Sequence, residues 1–126
     1  MIKDSLNIIK VGGAIVENEE SLQSLLMSFS SLKGRKILVH GGGKIATEVA
    51  ARLGVETQMI DGRRITSAEM LKVVTMVYGG LVNKNLVARL QALGVNAIGL
   101  TGADLNLIMS VKRPVQPINF GYVGDI

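Results

Sequence analysis

Three consecutive glycines, Gly41 to Gly43, stand between a short apolar run, Ile37, Leu38 and Val39, and a helical pattern that opens at Ile45. A run this short, rich in strand formers, reads as a strand, so the glycines make a tight strand-to-helix turn. Glycine leaves main-chain N–H groups unshielded by a Cβ, and the first N–H groups of a helix lack a partner within it. Such a turn suits a phosphate or a carboxylate. A second unit of the same kind comes earlier, where residues 7–11 read as a strand closed by Gly12 and Gly13. Lys10 lies inside that strand, flanked by Ile9 and Val11. A lysine there either snorkels from an edge or carries its ammonium to an anion at the strand end. Arg63 and Arg64 fall in a loop before a Thr66-x-x-Glu69 capping box, and a guanidinium fork suits two-point recognition of a carboxylate. His40 is the only histidine. Its place at the strand end favours ordering of the turn by hydrogen bonding over acid–base work.

These groups need elements to position them. Asn18 caps a helix with Glu19 and Glu20 in its first turn and Leu22, Leu25, Leu26, Phe29 and Leu32 at three-and-four spacing; Gly34 ends it. Strand, helix and strand at this spacing predict a parallel pair with a right-handed crossover, which puts the two glycine turns at the same, carboxyl end. Ligands of open α/β sheets collect there. The helix after Gly43 places Ile45, Val49 and Leu53 on one face and stops at Gly54; residues 55–60 read as a half-exposed strand. A helix from Thr66 carries Met70, Leu71, Val74 and Val77 towards Gly79 and Gly80, beyond which residues 81–93 resume a helical pattern, as one bent helix or two. Residues 95–100 read as a fourth strand, with Asp104 beyond it placed to orient a loop or to meet magnesium. Residues 106–111 and 119–123 read as short strands about a Pro114 to Pro117 turn.

Composition narrows the classes. The 126 residues fit one domain with a sizeable core, and with no cysteine there are neither disulfides nor thiolate metal sites. No apolar run approaches the roughly 20 residues of a membrane span, and the opening residues do not read as a signal peptide, so a cytoplasmic protein is expected. A net charge of +4 with two Phe and two Tyr offers no stacking platform for nucleic acid and fits an anionic small molecule. No clustered carboxylates suggest a dedicated metal cage.

The HGGGK turn admits more than one chemistry. A P-loop fails, because the GxxxxGK spacing would begin at Leu38 and Ile45 stands where a hydroxyl is needed. A dinucleotide fingerprint survives in Gly41, Gly43 and Ala46, with Asp61 about 20 residues on as a ribose ligand; this nicotinamide-dependent oxidoreductase reading leaves IIKVGG and GRRIT without a role. A non-catalytic amino-acid-sensing module is the other alternative.

Taken together, IIKVGGAIV, ILVHGGGK, DGRRIT, VNKNLVARL, GLTGADLNLI and GYVGDI resemble the amino-acid kinase family, in order and spacing, from about Asn7 to Ile126. The resemblance implies a three-layer α/β/α sandwich with a mainly parallel sheet, residues 1–126 forming its N-terminal, acylglutamate-binding half. The nucleotide-binding half would lie outside this chain, leaving it inactive alone. It implies transfer of a phosphoryl group from ATP, with Mg²⁺, to the side-chain carboxylate of N-acetyl-L-glutamate or a related N-acylglutamate, a step of arginine biosynthesis. It assigns Lys10 and the N–H groups of Gly13 and Gly42 to the transferring phosphoryl group. Gly42, Gly43 and Arg64 go to the substrate, and Asn83 and Lys84 to a helix surface or lid packing. It further implies a homodimer, through the helix around Gly79 and Gly80, with no nucleic-acid or membrane partner.

Overall fold

The computed structural model describes residues 5–126, so the reading of the opening residues as no signal peptide falls partly outside it, on residues 1–4. Strands β1 (Leu6–Lys10) and β2 (Arg35–Val39) pair in parallel, in register from Leu6 opposite Arg35 to Lys10 opposite Val39. Between them run α1 (Gly13–Glu17) and α2 (Glu19–Ser31). The Asn18 side chain caps α2 as expected, accepting from Ser21 N at 2.8 Å. The far end of α2 is closed by a group that periodicity does not reveal. Lys36 Nζ donates to the carbonyls of Phe29, Ser30 and Leu32, each at 2.9 Å, and lies 5.1 Å from the Phe29 ring centroid. An ammonium on the last carbonyls of a helix meets the negative end of its dipole and ties α2 to β2.

Helix α3 (Gly43–Arg52) follows β2. Its buried positions are Ala46 and Ala50, fully enclosed, while Ile45 and Val49 are partly buried and Leu53 is exposed. The expected face is thus turned by one residue, because only methyl side chains fit where α3 meets the core. Gly54 ends the helix with φ of +70°, Gly54 N donating to Ala51 O and Val55 N to Ala50 O, a Schellman arrangement that needs a residue at ease with positive φ.

The next segment corrects the sequence reading. Only Gln58–Ile60 forms a strand, β3, and it pairs antiparallel with β4 (Arg63–Ile65), so Arg63 and Arg64 lie on a strand. Asp61 and Gly62, both at positive φ, make the two-residue turn of this hairpin. Ser67, not Thr66, caps α4 (Ala68–Val74), its side chain accepting from Met70 N at 3.1 Å. The Thr66 main chain is taken instead by the far end of the chain, donating to Phe120 O and accepting from Tyr122 N.

From α4 the helix continues without a break through a π-wound segment, Thr75–Val82, into α5 (Asn83–Ala92). Residues 95–100 form no ladder. The Ala97 carbonyl accepts from Gln91, the Gly99 carbonyl from Lys84 and the Leu100 carbonyl from Asn83, so side chains of α5 satisfy main-chain groups that a neighbouring strand would otherwise take. A hairpin-like excursion is present, but its strands are β5 (Val111–Lys112) and β6 (Gly124–Asp125), closed by the Arg113–Asp125 ion pair.

The protein is α/β. Leu22, Leu26 and Phe29 of α2, Met70 and Val73 of α4, Val77, and Leu86 and Leu90 of α5 form the core beneath one face of the β1–β2 pair, with Ile9 and Leu38 packed on it. The other face, Leu6, Ile8, Ile37 and Val39, is open.

Two glycines give contrasting tests. A Cβ on Gly121, at φ +75°, would lie 2.2 Å from Thr66 O, whereas one on Gly80 meets nothing within 4 Å. Gly121→Ala is expected to cost at least about 1–3 kcal/mol in urea unfolding, and Gly80→Ala to be neutral or to stabilise by up to about 1 kcal/mol. The Arg113 guanidinium holds the Asp125 carboxyl below its usual range, and hydrogen bonds from Thr101 do the same for Asp104. Lowered folded values mean stability that is complete above the ordinary aspartate range of about 3.9 and is lost as pH falls through the lowered values. Asp125→Asn should therefore flatten the acid limb of the melting-temperature profile.

Candidate functional site

The parallel register brings both glycine turns to one end. Val11 N donates to Val39 O at 2.8 Å, extending the pairing one residue past β1, and the two chains then turn at Gly12 and at His40 to Gly42. Gly12 O accepts from Ile15 and Val16 N, and Gly42 O from Ala46 N, so α1 starts at Gly13 and α3 at Gly43 beside each other. Their first-turn N–H groups have no partners in their own helices. Lys44 at the head of α3 reaches Glu17 of α1 at 3.9 Å, joining the two turns.

Lys10 stands at the end of β1, exposed, and its ammonium makes no ion pair or hydrogen bond among the described residues. It borders an open concavity lined by Gly12, Ile15, Glu20, Ser21 and Ser24, a hollow that carries a carboxylate of its own and does not reach Gly42 or Arg64.

Arg64 is brought to the second turn from β4. Its Nη2 donates to Gly43 O and Thr47 Oγ1, both at 2.9 Å, and its Nη1 reaches Thr57 Oγ1 at 3.4 Å and Met70 Sδ at 3.8 Å. The fork expected to face a ligand is thus turned onto the first turn of α3. Among the described residues Nε–H has no partner. Arg63 is exposed, and its charge adds to the lowering of Asp125.

Several contacts at the site lay beyond the sequence reading. Tyr78 of the π-wound segment packs on the glycine turn so closely that a Cβ on Gly42 would lie 3.3 Å from its ring and 3.2 Å from Val82. Asn83 is buried, donating to Leu100 O and meeting His40 Nε2 at 3.2 Å. Its neighbour Lys84 donates to Gly99 O at 2.9 Å, so neither is a free helix-surface group. The available signal was Asn83's position three residues before Leu86 and seven before Leu90, on the core-facing side of α5. Arg89 and Arg113 pair with Glu19 and Asp125. Asp104 Oδ2 accepts from Thr101 N at 2.6 Å and from Thr101 Oγ1 at 2.8 Å, which orients its loop as expected.

Asp61 sits at a hairpin tip and not at the end of a parallel strand, which removes the ribose ligand from the dinucleotide reading. Among the described residues no group of three or more His, Asp or Glu gathers as a metal site, and no helix is long and apolar enough to cross a membrane. What remains is an edge built of two helix starts, the exposed Lys10 ammonium and the braced Arg64 guanidinium.

Residues 5–126 match the amino acid kinase family, and the chain belongs to it. Among its relatives are proteins named acetylglutamate kinase: that of Phocaeicola vulgatus is 66% identical over 125 residues, covering 99% of this chain and 49% of the relative. That of Bacteroides thetaiotaomicron is 63% identical over 125 residues, with the same coverage. The one from Methanopyrus kandleri is 41% identical over 125 residues, covering 96% of this chain and 48% of its own. The crystal structure of smu.665 from Streptococcus mutans UA159 superposes with a TM-score of 0.75 at 26% identity, over 95% of this chain and 49% of that one. The chain spans about half the length of the curated relatives it matches.

Replacing the Arg64 brace tests its structural share. Arg64→Lys keeps the charge, but one ammonium on a shorter side chain cannot serve Gly43 O and Thr47 Oγ1, as Nη2 does, and also reach Thr57 Oγ1 and Met70 Sδ, as Nη1 does, so a loss of about 1–2 kcal/mol is expected in urea unfolding.

Proposed function

We propose that this chain is the acylglutamate-binding half of a carboxylate kinase that phosphorylates N-acetyl-L-glutamate, or a close N-acyl relative, at the expense of ATP. The observation that carries the reading is 66% identity to an acetylglutamate kinase across 99% of the chain, on a fold whose two glycine turns open side by side. The open apolar face of the β1–β2 pair supports packing against a further half.

In this reaction a side-chain carboxylate oxygen attacks the γ-phosphorus of ATP. The new P–O bond forms as the bond to the β,γ-bridging oxygen breaks, and an acyl phosphate and ADP result. A glutamate-type carboxylate, with a pKa of about 4.3, is already ionised at neutral pH, so no base is needed. The difficulty is that two anions must meet, and catalysis is then positioning and positive potential.

In this reading the Lys10 ammonium and the N–H groups of Gly13 and Gly42 receive the phosphoryl oxygens, as an oxyanion hole does. Gly42 and Gly43, at the start of α3, hold the reacting carboxylate. Arg64 directs Nε–H and its charge at the substrate's α-carboxylate while its terminal nitrogens keep the α3 start in place. Mg²⁺ enters on the ATP phosphates. Two copies associate along the π-wound segment, where Met76 and Leu81 are exposed.

The test is ADP release in the protein completed by the relatives' second half, with MgATP and either N-acetyl- or N-succinyl-L-glutamate. Turnover with one of them is expected, with Lys10→Ala lowering kcat by at least about 10²-fold. The 126-residue chain alone should release no ADP. Unchanged kcat in Lys10→Ala, or full turnover by the chain alone, would contradict the assignment.

A further inference from the structure

We propose that Asn83 is a positioning residue for the glycine turn, acting through the tautomer it imposes on His40; the functional weight of this rests on the reading of Gly42 N–H as an anion donor. His40 Nδ1 lies 2.9 Å from Gly41 O, and a carbonyl only accepts, so this contact is a hydrogen bond only while the ring proton is kept on Nδ1. The other ring nitrogen, Nε2, faces Asn83 Nδ2 at 3.2 Å. An amide nitrogen only donates, so Nε2 must offer its lone pair.

The amide cannot turn over to present its oxygen instead. Asn83 Oδ1 accepts from Lys84 Nζ at 3.1 Å, and Asn83 Nδ2 donates to Leu100 O at 3.3 Å. Lys84 is itself held by Gly99 O. Space is as fixed as polarity, since a Cβ on Gly99 would stand 1.9 Å from Asn83 Oδ1. Only a glycine there admits the side chain.

What the network fixes is a peptide plane. Gly41 C=O and Gly42 N–H belong to one rigid, trans peptide unit and point in opposite directions, so a proton donor that holds the carbonyl also aims the N–H. Flanked by two glycines, this plane would otherwise rotate at little cost. Asn83 thus reaches the glycine turn from α5 without touching a ligand.

The protein holds a single histidine, so ring ¹⁵N resonances are unambiguous. Long-range ¹H–¹⁵N correlation on the substrate-free chain at neutral pH is expected to show protonated Nδ1 and bare Nε2. Asn83→Asp keeps the size but offers only acceptors, so Nε2 is expected to become protonated, and the Gly42 amide resonance to shift with it. Asn83→Ala should release the ring to the Nε2–H form that free imidazoles favour. Nε2–H in the unaltered protein would overturn the proposal even if both variants failed to fold, as would an unchanged tautomer in either folded variant. No substrate enters the measurement, so it stands apart from the ADP-release test.

Discussion

Parallel pairing of β1 with β2 forces both strand-to-helix turns to leave the ladder at the same end, and the start of α1 and the start of α3 therefore become neighbours. That arrangement collects unsatisfied N–H donors, two positive dipole ends and the Lys10 ammonium along one edge, with Glu17 as the acidic group between the turns, held by Lys44. Glu20 lines the hollow beside Lys10 as well, so the donors and cations of this edge are set against two carboxylates.

Around that edge the remaining elements act as supports. The β3–β4 hairpin delivers Arg64 to Gly43 and Thr47, so a guanidinium from a separate pair of strands fixes the first turn of α3. The helix from Ala68 to Ala92 lays Tyr78 and Val82 against Gly42 midway along its course and sends Asn83 to His40. The π-wound turns between α4 and α5 change which residues face inward, and this allows Tyr78 and Asn83 to reach the same glycine turn. Glycine at position 42 thus has a packing reason as well as the functional one proposed for it.

The glycine turns, the Asn18 cap, the parallel pair and the Gly54 stop could be read from residue types alone, because each rests on local chemistry or on a constraint of strand direction. The β3–β4 hairpin has a strong two-residue turn signal in Asp61–Gly62, but its strands are three residues each, too short for alternation to mark Arg63 and Arg64 as strand residues. Residues 95–100 look like a strand by composition, and only the placement of Asn83, Lys84 and Gln91 on α5 shows who takes their carbonyls. The Arg64 fork was legible as an anion-binding group, but its turn towards α3 depends on Thr47 and Gly43, 17 and 21 residues away in sequence. Such long-range polar pairings leave no periodic trace.

The central claim, that the two glycine turns form a receptor for a dicarboxylate, is tested most directly on the 126-residue chain itself. Its ¹H–¹⁵N spectrum would be followed during titration with N-acetyl-L-glutamate. The account predicts saturable shifts of the Gly42 and Gly43 amides that are absent with N-acetyl-L-glutamine, whose side chain lacks the carboxylate, while the Arg64 Nε–H, directed at the α-carboxylate both compounds carry, responds to either. Shifts confined to other surfaces, or equal responses of the two amides to both compounds, would contradict it.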